Sequence, residues 1–248
     1  MSDLLELTGR AEATHFWFRG FRAFVAPILD EIAAGRRDLR LIDCGCGTGN
    51  NLSLLTPHGQ AFGFDLAPGG AHRALRTGRP AVQADIDRIP YKSDTFDIAT
   101  SFDVLQCVPD DRAALREMAR ILKPGGYAVL NVSALELLRA DHAEVWDERR
   151  RYTPASAGRL VGDSGLQVVR ISFAFASLFP IMLSVRLWQK MLRPFREPQG
   201  DAELEVPPEP INAALTWLVH REAALSRRLP MPIGSSLLIV ARKPRTAG

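Results

Sequence analysis

Cysteine is scarce in this chain: Cys44, Cys46 and Cys107 are the three among 248 residues. They are too few and wrongly spaced for a zinc cage, so no metal centre is expected, and a sparse, odd count fits a reducing cytoplasm. The opening residues hold no apolar core of the kind a secretion signal needs, which points the same way. Lysine is nearly missing. Lys92, Lys123, Lys190 and Lys243 are the lysines among 31 basic residues, and the net charge is +3. The excess is mild and no compact basic stripe with interleaved aromatics stands out, so no nucleic-acid partner is expected. Long apolar runs are lacking too. Ile171 to Val185 carries no charge, but it is shorter than the roughly 20 residues that span a bilayer, and Pro180 interrupts it. No internal repeat is visible. What remains is a chain with 46% hydrophobic residues, enough for one sizeable α/β domain with additions.

Against that background Asp43-Cys44-Gly45-Cys46-Gly47-Thr48-Gly49 stands out. It follows the apolar run Leu39 to Ile42 and precedes Asn50 to Leu55, a pattern of strand, tight glycine turn and helix. Three glycines at alternate positions remove side chains, so the backbone can touch a ligand. The amides that open the following helix are unpaired and carry partial positive charge. Asp43 at the strand end can brace the turn and bond polar ligand groups. Asp65 closes a second apolar run, Ala61 to Phe64, where a carboxylate is placed to take two ribose hydroxyls. A nicotinamide fingerprint starting at Gly45 needs glycine at position 50, and the chain has Asn50.

Further elements follow in order. Ala81 to Ala84 reads as a third strand with Asp85-Ile86 behind it, and Thr95 to Leu105 as the fourth strand and its exit. Asp110 to Leu122 has the apolar spacing of an amphipathic helix, stopped by Lys123-Pro124-Gly125-Gly126. Tyr127 to Val132 reads as the fifth strand, Gln167 to Ala176 as the sixth and Ser235 to Ala241 as the last. Residues 177 to 233, between the last two, are too long for a plain hairpin.

The D-x-G-x-G-x-G loop, Asp65, Asp85 and the L-K-P-G-G helix stop, taken in order, resemble the class I S-adenosylmethionine-dependent methyltransferases. The resemblance implies an α/β, Rossmann-like seven-stranded sheet. It is mostly parallel, with an antiparallel last strand between the fifth and sixth and helices on both faces. Its parts are an N-terminal helical lid (1–37), a methyltransferase core (38–176 and 234–248) and a helical cap insert (177–233). The implied cofactor is S-adenosyl-L-methionine, with S-adenosyl-L-homocysteine as product. Asp43, Gly45, Cys46, Gly47 and Gly49 would meet its methionine part, and Asp65 its ribose. Asp85 would bond the adenine amino group, with Leu66 and Ile86 on the ring. Phe102 and Asp103 would end near the methionine amine, Asp103 with a catalytic role as well.

His15-Phe16-Trp17-Phe18-Arg19-Gly20 and Arg150-Arg151-Tyr152-Thr153 resemble a bacterial subgroup of that family with an H-W-W-F-R opening and an R-R-Y-T segment. Phe18 and Arg19 would then form a lid, Arg19 pairing the methionine carboxylate; otherwise an amphipathic helix packs on the sheet with Arg19 in solvent. The chain departs from the subgroup at Gln106-Cys107, where Glu-His is usual, at Ala143, where Asp is usual, and at Glu148, where His is usual. His142 and Tyr152 are the expected groups acting on the acceptor. Arg150 and Arg151 either hold an anionic acceptor group or pair with Glu144, Asp147 or Glu148.

Phe175, Phe179, Met182 and Trp188 either line an apolar acceptor pocket, with peripheral membrane contact through 178–192, or belong to one strand and one amphipathic helix. The expected activity is methyl transfer to a small, apolar or ring-bearing metabolite of natural-product type. Lipid-linked or quinone acceptors at a membrane surface are the alternative, as is a catalytically silent cofactor-binding partner of another subunit.

Overall fold

A computed structural model describes residues 8–76, 78–139, 141–192 and 205–245. Among these, seven strands form one sheet in the order β3-β2-β1-β4-β5-β7-β6: β1 (Leu39–Cys44), β2 (Gly59–Asp65), β3 (Ala81–Gln83), β4 (Phe96–Phe102), β5 (Leu122–Ser133), β6 (Gln167–Ala174) and β7 (Ser236–Arg242). β1 to β5 are parallel, while β7 runs antiparallel to both neighbours. Strand order reverses between β1 and β4, and in open α/β sheets the ligand crevice lies beyond the strand carboxyl ends at that point.

Alternation along the strands builds two cores. Ile42 and Cys44 of β1 and Leu237, Ile239 and Ala241 of β7 face one side; Leu39 and Leu41, and Leu238 and Val240, face the other. The helices are α1 (Phe16–Ala33), α2 (Leu52–Leu55), α3 (Pro68–Arg76), α4 (Asp111–Ile121), α5 (Asp141–Val145), α6 (Pro154–Asp163), α7 (Phe179–Leu192) and α8 (Glu209–Ser226). α4 and α6 close the first side, through Leu115, Met118, Leu160 and Val161. α1 and α8 close the second, through Phe21, Val25, Leu29, Val219 and Ala223.

Three details differ from the sequence reading. The helix after the glycine loop is a single turn, α2, continued by a 3-10 turn at Thr56–His58; so short a helix has little dipole to offer, and the loop's own amides must serve. The fifth strand begins at Leu122 and takes in Lys123 to Gly126, with Gly125 at a left-handed φ of 83°. α8, within the expected insert, is pressed against α1. Its close approach needs Gly20, since a Cβ there would stand 2.3 Å from Val219 Cγ1. Asn212 ties the same pair: its Oδ1 accepts from the Phe16 amide at 2.9 Å and its Nδ2 donates to the Thr14 carbonyl at 3.0 Å.

Candidate active site

The glycine loop turns at the end of β1 with Gly45, Gly47 and Gly49 at φ 84, 49 and 80°, left-handed values that glycine adopts without a Cβ penalty. A Cβ at Gly45 would meet Val104 at 2.4 Å, and one at Gly49 the backbone of Ala74 at 2.6 Å. The Gly45 and Cys46 amides donate to the Phe64 carbonyl, which locks the loop to β2. Cys46 is buried and packs beneath Gly63, where an added Cβ would meet its Sγ at 2.9 Å. It therefore offers the cleft backbone only.

Asp43 is fully buried, and Thr100 Oγ1 donates to its Oδ1 at 2.7 Å. Burial pushes its pKa up to about 7, against the Thr100 hydrogen bond. Asp65 holds the loop from the next strand: the Gly47 amide donates to Oδ2 at 2.8 Å and the Ala67 amide to Oδ1 at 2.9 Å. Each oxygen keeps a second lone pair for a ligand hydroxyl. Leu66, next to it, is 60% exposed, an apolar surface available to an aromatic ring. Asp85 is exposed and its Oδ1 accepts from the Asp87 amide at 3.4 Å. Ile86 packs in the first core with Ile89, so of the two expected ring contacts Leu66 is the open one.

At the end of β4, Phe102 is buried edge-on against Phe21 of α1, 4.9 Å between centroids. Asp103 takes a left-handed φ of 59° and opens to solvent as a residue. Its carboxylate nonetheless sits deep among protein atoms. Asn131 Nδ2 donates to both oxygens at 2.9 Å and Gln106 Nε2 to Oδ1 at 3.1 Å. Burial pushes its pKa up to about 6, opposed by those two amides. The side-chain amide oxygens of Gln106 and Asn131 are buried with no partner among the described residues. The Asp103 carboxylate, held by these two amides at the end of β4, is an acceptor suited to a cationic or donor-bearing ligand. The glycine cradle, the remaining lone pairs of Asp65 and the Asp103 carboxylate together fit S-adenosylmethionine.

Other expected residues are engaged elsewhere. Tyr152 is 4% exposed, and its hydroxyl stands 2.8 Å from Asp111 Oδ2 and 3.1 Å from the Leu105 carbonyl, its single proton serving one of the two. It braces the β4–α4 connection rather than facing an acceptor. Arg150 serves the same loop, donating to the carbonyls of Leu105, Val108 and Pro109. Arg151 forms a buried pair with Glu148 at 2.9 Å. His142 lies in α5, and its side chain is outside the described residues. Trp17 of the aromatic opening stacks flat on Phe175, 3.8 Å between centroids, while Phe18 is half-buried against His15 and Arg19 is exposed. His15 accepts from the Trp17 amide and caps α1. Phe175 and Phe179 are buried, so neither lines an open pocket.

Sequence reasoning missed Glu12, Gln106 as a ligand of Asp103, and Asn131. Glu12 is buried and its Oε2 accepts from Thr48 Oγ1 at 2.6 Å and from Asn50 Nδ2, pinning the N-terminal segment on the glycine loop. A lone Glu carries no pattern that could have revealed it. Asn131 was readable as the one polar residue in the fifth-strand run Tyr127 to Val132. Two surface hollows lie elsewhere: about 390 Å³ beside Gly69, His72, Arg73 and Arg76, and about 500 Å³ between α1, β6 and the end of α8. Among the described residues no group of His, Cys, Asp or Glu is placed to hold a metal ion.

Comparison with known proteins accords with this geometry. Residues 42–130 match the family model described as a methyltransferase domain. A malonyl-[acyl-carrier protein] O-methyltransferase from Herminiimonas arsenicoxydans is 32% identical over 162 residues, covering 62% of this chain and 61% of that one. The chain spans less than two thirds of the length of the first curated relatives it matches. By structure, the chain solved in complex with the Haloferax volcanii Trm112 methyltransferase activator is similar with a TM-score of 0.61 at 21% identity, covering 98% of each. An S-adenosylmethionine-dependent methyltransferase from Mesorhizobium loti gives 0.55 at 20% identity, covering 87% of this chain and 96% of that one. At such identities the structural likeness carries the fold. The glycine loop, Asp65 and Asp103 all lie inside the stretch, residues 42–130, that matches the methyltransferase domain model.

Proposed function

We propose that the chain moves a methyl group from S-adenosylmethionine to a small, apolar or ring-bearing acceptor by in-line displacement. The observation that carries this reading is Asp65, whose carboxylate holds the Gly47 amide at 2.8 Å inside the matched domain. When bound, the cofactor supplies a methyl group that is already electrophilic. Asp65 takes the ribose hydroxyls, Asp85 the adenine amino group, and Leu66 lies against the ring. The loop amides and Phe102 border the methionine part, with Phe18 and Arg19 covering it. Asp103, at a pKa of about 6, is mostly ionised at neutral pH and can hold a cationic group or take a proton from an acceptor. His142 is the second group proposed on the acceptor side. Removing water and aligning the nucleophile account for most of the remaining task.

The test is calorimetry with S-adenosylmethionine and S-adenosylhomocysteine on the wild type and Asp65→Ala. Affinity should fall tenfold or more in the variant; unchanged affinity removes Asp65 from the site. Tritiated-methyl transfer should then be run over oxygen, nitrogen and carbon acceptors, including acyl-carrier-linked carboxylates because of the Herminiimonas relative. Cofactor binding without turnover on any of them supports the silent-partner alternative. A second acceptor class, lipid-linked or quinone-like molecules at a membrane surface, is favoured by the exposed apolar residues of α7.

A further inference from the structure

The glycine loop is held from two directions. Asp65 takes the Gly47 amide from β2, and Glu12 takes the residues that follow from the N-terminal side. Thr48 Oγ1 donates to Glu12 Oε2 at 2.6 Å, and Asn50 Nδ2 donates to the same oxygen. The Asn50 backbone N–H donates in turn to Thr48 Oγ1 at 3.4 Å. The single hydroxyl proton thus goes to Glu12, while the hydroxyl oxygen accepts from the loop. Glu12 and Thr48 are both buried, and hydrogen bonds to a carboxylate are stronger than neutral ones.

The residues held in this way are the ones that need it. Thr48 stands between Gly47 and Gly49, both at left-handed φ. Two glycines a residue apart give a free loop many conformations, and fixing them costs entropy. A side-chain anchor between them orders the turn before a ligand arrives, which favours binding. Glu12 is itself fixed on its other side. Its carbonyl accepts from Arg22 Nη2 of α1, and its amide donates to the Thr8 carbonyl at 2.9 Å. Asn212 of α8 holds the Thr14 carbonyl. Gly9 lies against Thr48, where an added Cβ would stand 3.6 Å from Cγ2. Residues 8–14 therefore form a strap that runs from the α1–α8 layer onto the loop.

We propose that Glu12 is a positioning residue that fixes the Gly47–Asn50 turn in its cofactor-binding shape and couples the 8–14 strap to cofactor occupancy. The inference rests on the reading of this loop as the S-adenosylmethionine site. The experiment is calorimetry with S-adenosylmethionine on the wild type, E12A, E12Q, T48V and E12A/T48V, with circular dichroism to check folding. It is joined by amide hydrogen exchange of residues 8–14 with and without S-adenosylhomocysteine. Affinity should fall roughly tenfold or more in E12A and roughly threefold or more in T48V. T48V should add nothing to E12A, because the hydroxyl has already lost its partner. E12Q, which keeps an acceptor oxygen, should recover part of the loss. By reciprocity the cofactor should slow exchange of residues 8–14 in the wild type and not in E12A. Wild-type affinity in E12A or T48V, additive losses in the double variant, or exchange of the strap indifferent to cofactor overturns the role of Glu12 and leaves the cofactor site standing. If E12A does not fold, full affinity in both E12Q and T48V overturns it equally. A wild type that binds neither form of the cofactor overturns both readings.

Discussion

At the scale of single residues, two carboxylates do different work because their surroundings differ. Asp65 has backbone amides on both oxygens and stays at the surface of the cleft. Asp43 is buried, with Thr100 as its side-chain donor. Burial raises Asp43 to about 7, whereas an unfolded Asp titrates near 4. Between those values the folded chain keeps a proton that the unfolded chain has released. Stability from this group is therefore whole below about pH 4 and lost as pH rises through 7. Asp43→Asn, which keeps an acceptor for Thr100, should flatten that fall. Urea unfolding at pH 5 and pH 8 should show the variant gaining on the wild type by roughly 2 kcal/mol at the higher pH. Gly49→Ala tests the loop. A Cβ 2.6 Å from the Ala74 backbone at a φ of 80° should cost about 1–3 kcal/mol and weaken cofactor binding, read by thermal unfolding and calorimetry.

At the scale of elements, the N-terminal helix and the late helix α8 act as one layer. Gly20 lets Val219 approach, Asn212 bonds the start of α1, and Glu222 bonds the amides of Ala176 and Ser177 at 2.8 Å each and the Ser177 hydroxyl at 2.6 Å. Glu222→Ala leaves two partly buried N–H groups unpaired, at about 1–3 kcal/mol. Its thermal midpoint should drop by several degrees while Glu222→Gln recovers part of the loss. An unchanged midpoint in the alanine variant would show that solvent satisfies those amides. The Gly20 and Asn212 contacts were not legible beforehand, because their partners stand some 200 residues apart and no local pattern links them.

At the scale of the whole molecule, the cleft joins residues from β1, β2, β4 and β5 with the N-terminal segment. A ligand that occupies it stabilises all of them together. S-adenosylhomocysteine at a hundredfold excess over its Kd should raise the thermal midpoint by roughly 5–10 °C. Reduced nicotinamide cofactor should leave it unmoved, in keeping with Asn50 where that fingerprint needs glycine. The shift should vanish in Asp65→Ala.

The strands and the two layers of the sheet were readable, because period-two apolar patterning and glycine punctuation are local properties of the chain. So were the glycine turn after β1 and the place of Asp65 at the end of β2, since their spacing spans a single β-α-β unit. The acceptor side was not. Tyr152 read as a group acting on the acceptor, and Arg150 as a holder of an anionic acceptor group or a surface ion pair, but folding turns both onto the carbonyls behind β4, where backbone oxygens far away in sequence need donors. Asn131 and Gln106 gained their role only when β5 and the β4 loop came together around Asp103. The outward face of α7 likewise has no signature in periodicity. An amphipathic pattern says that a helix has two sides, and only packing against the rest of the protein determines which side meets water.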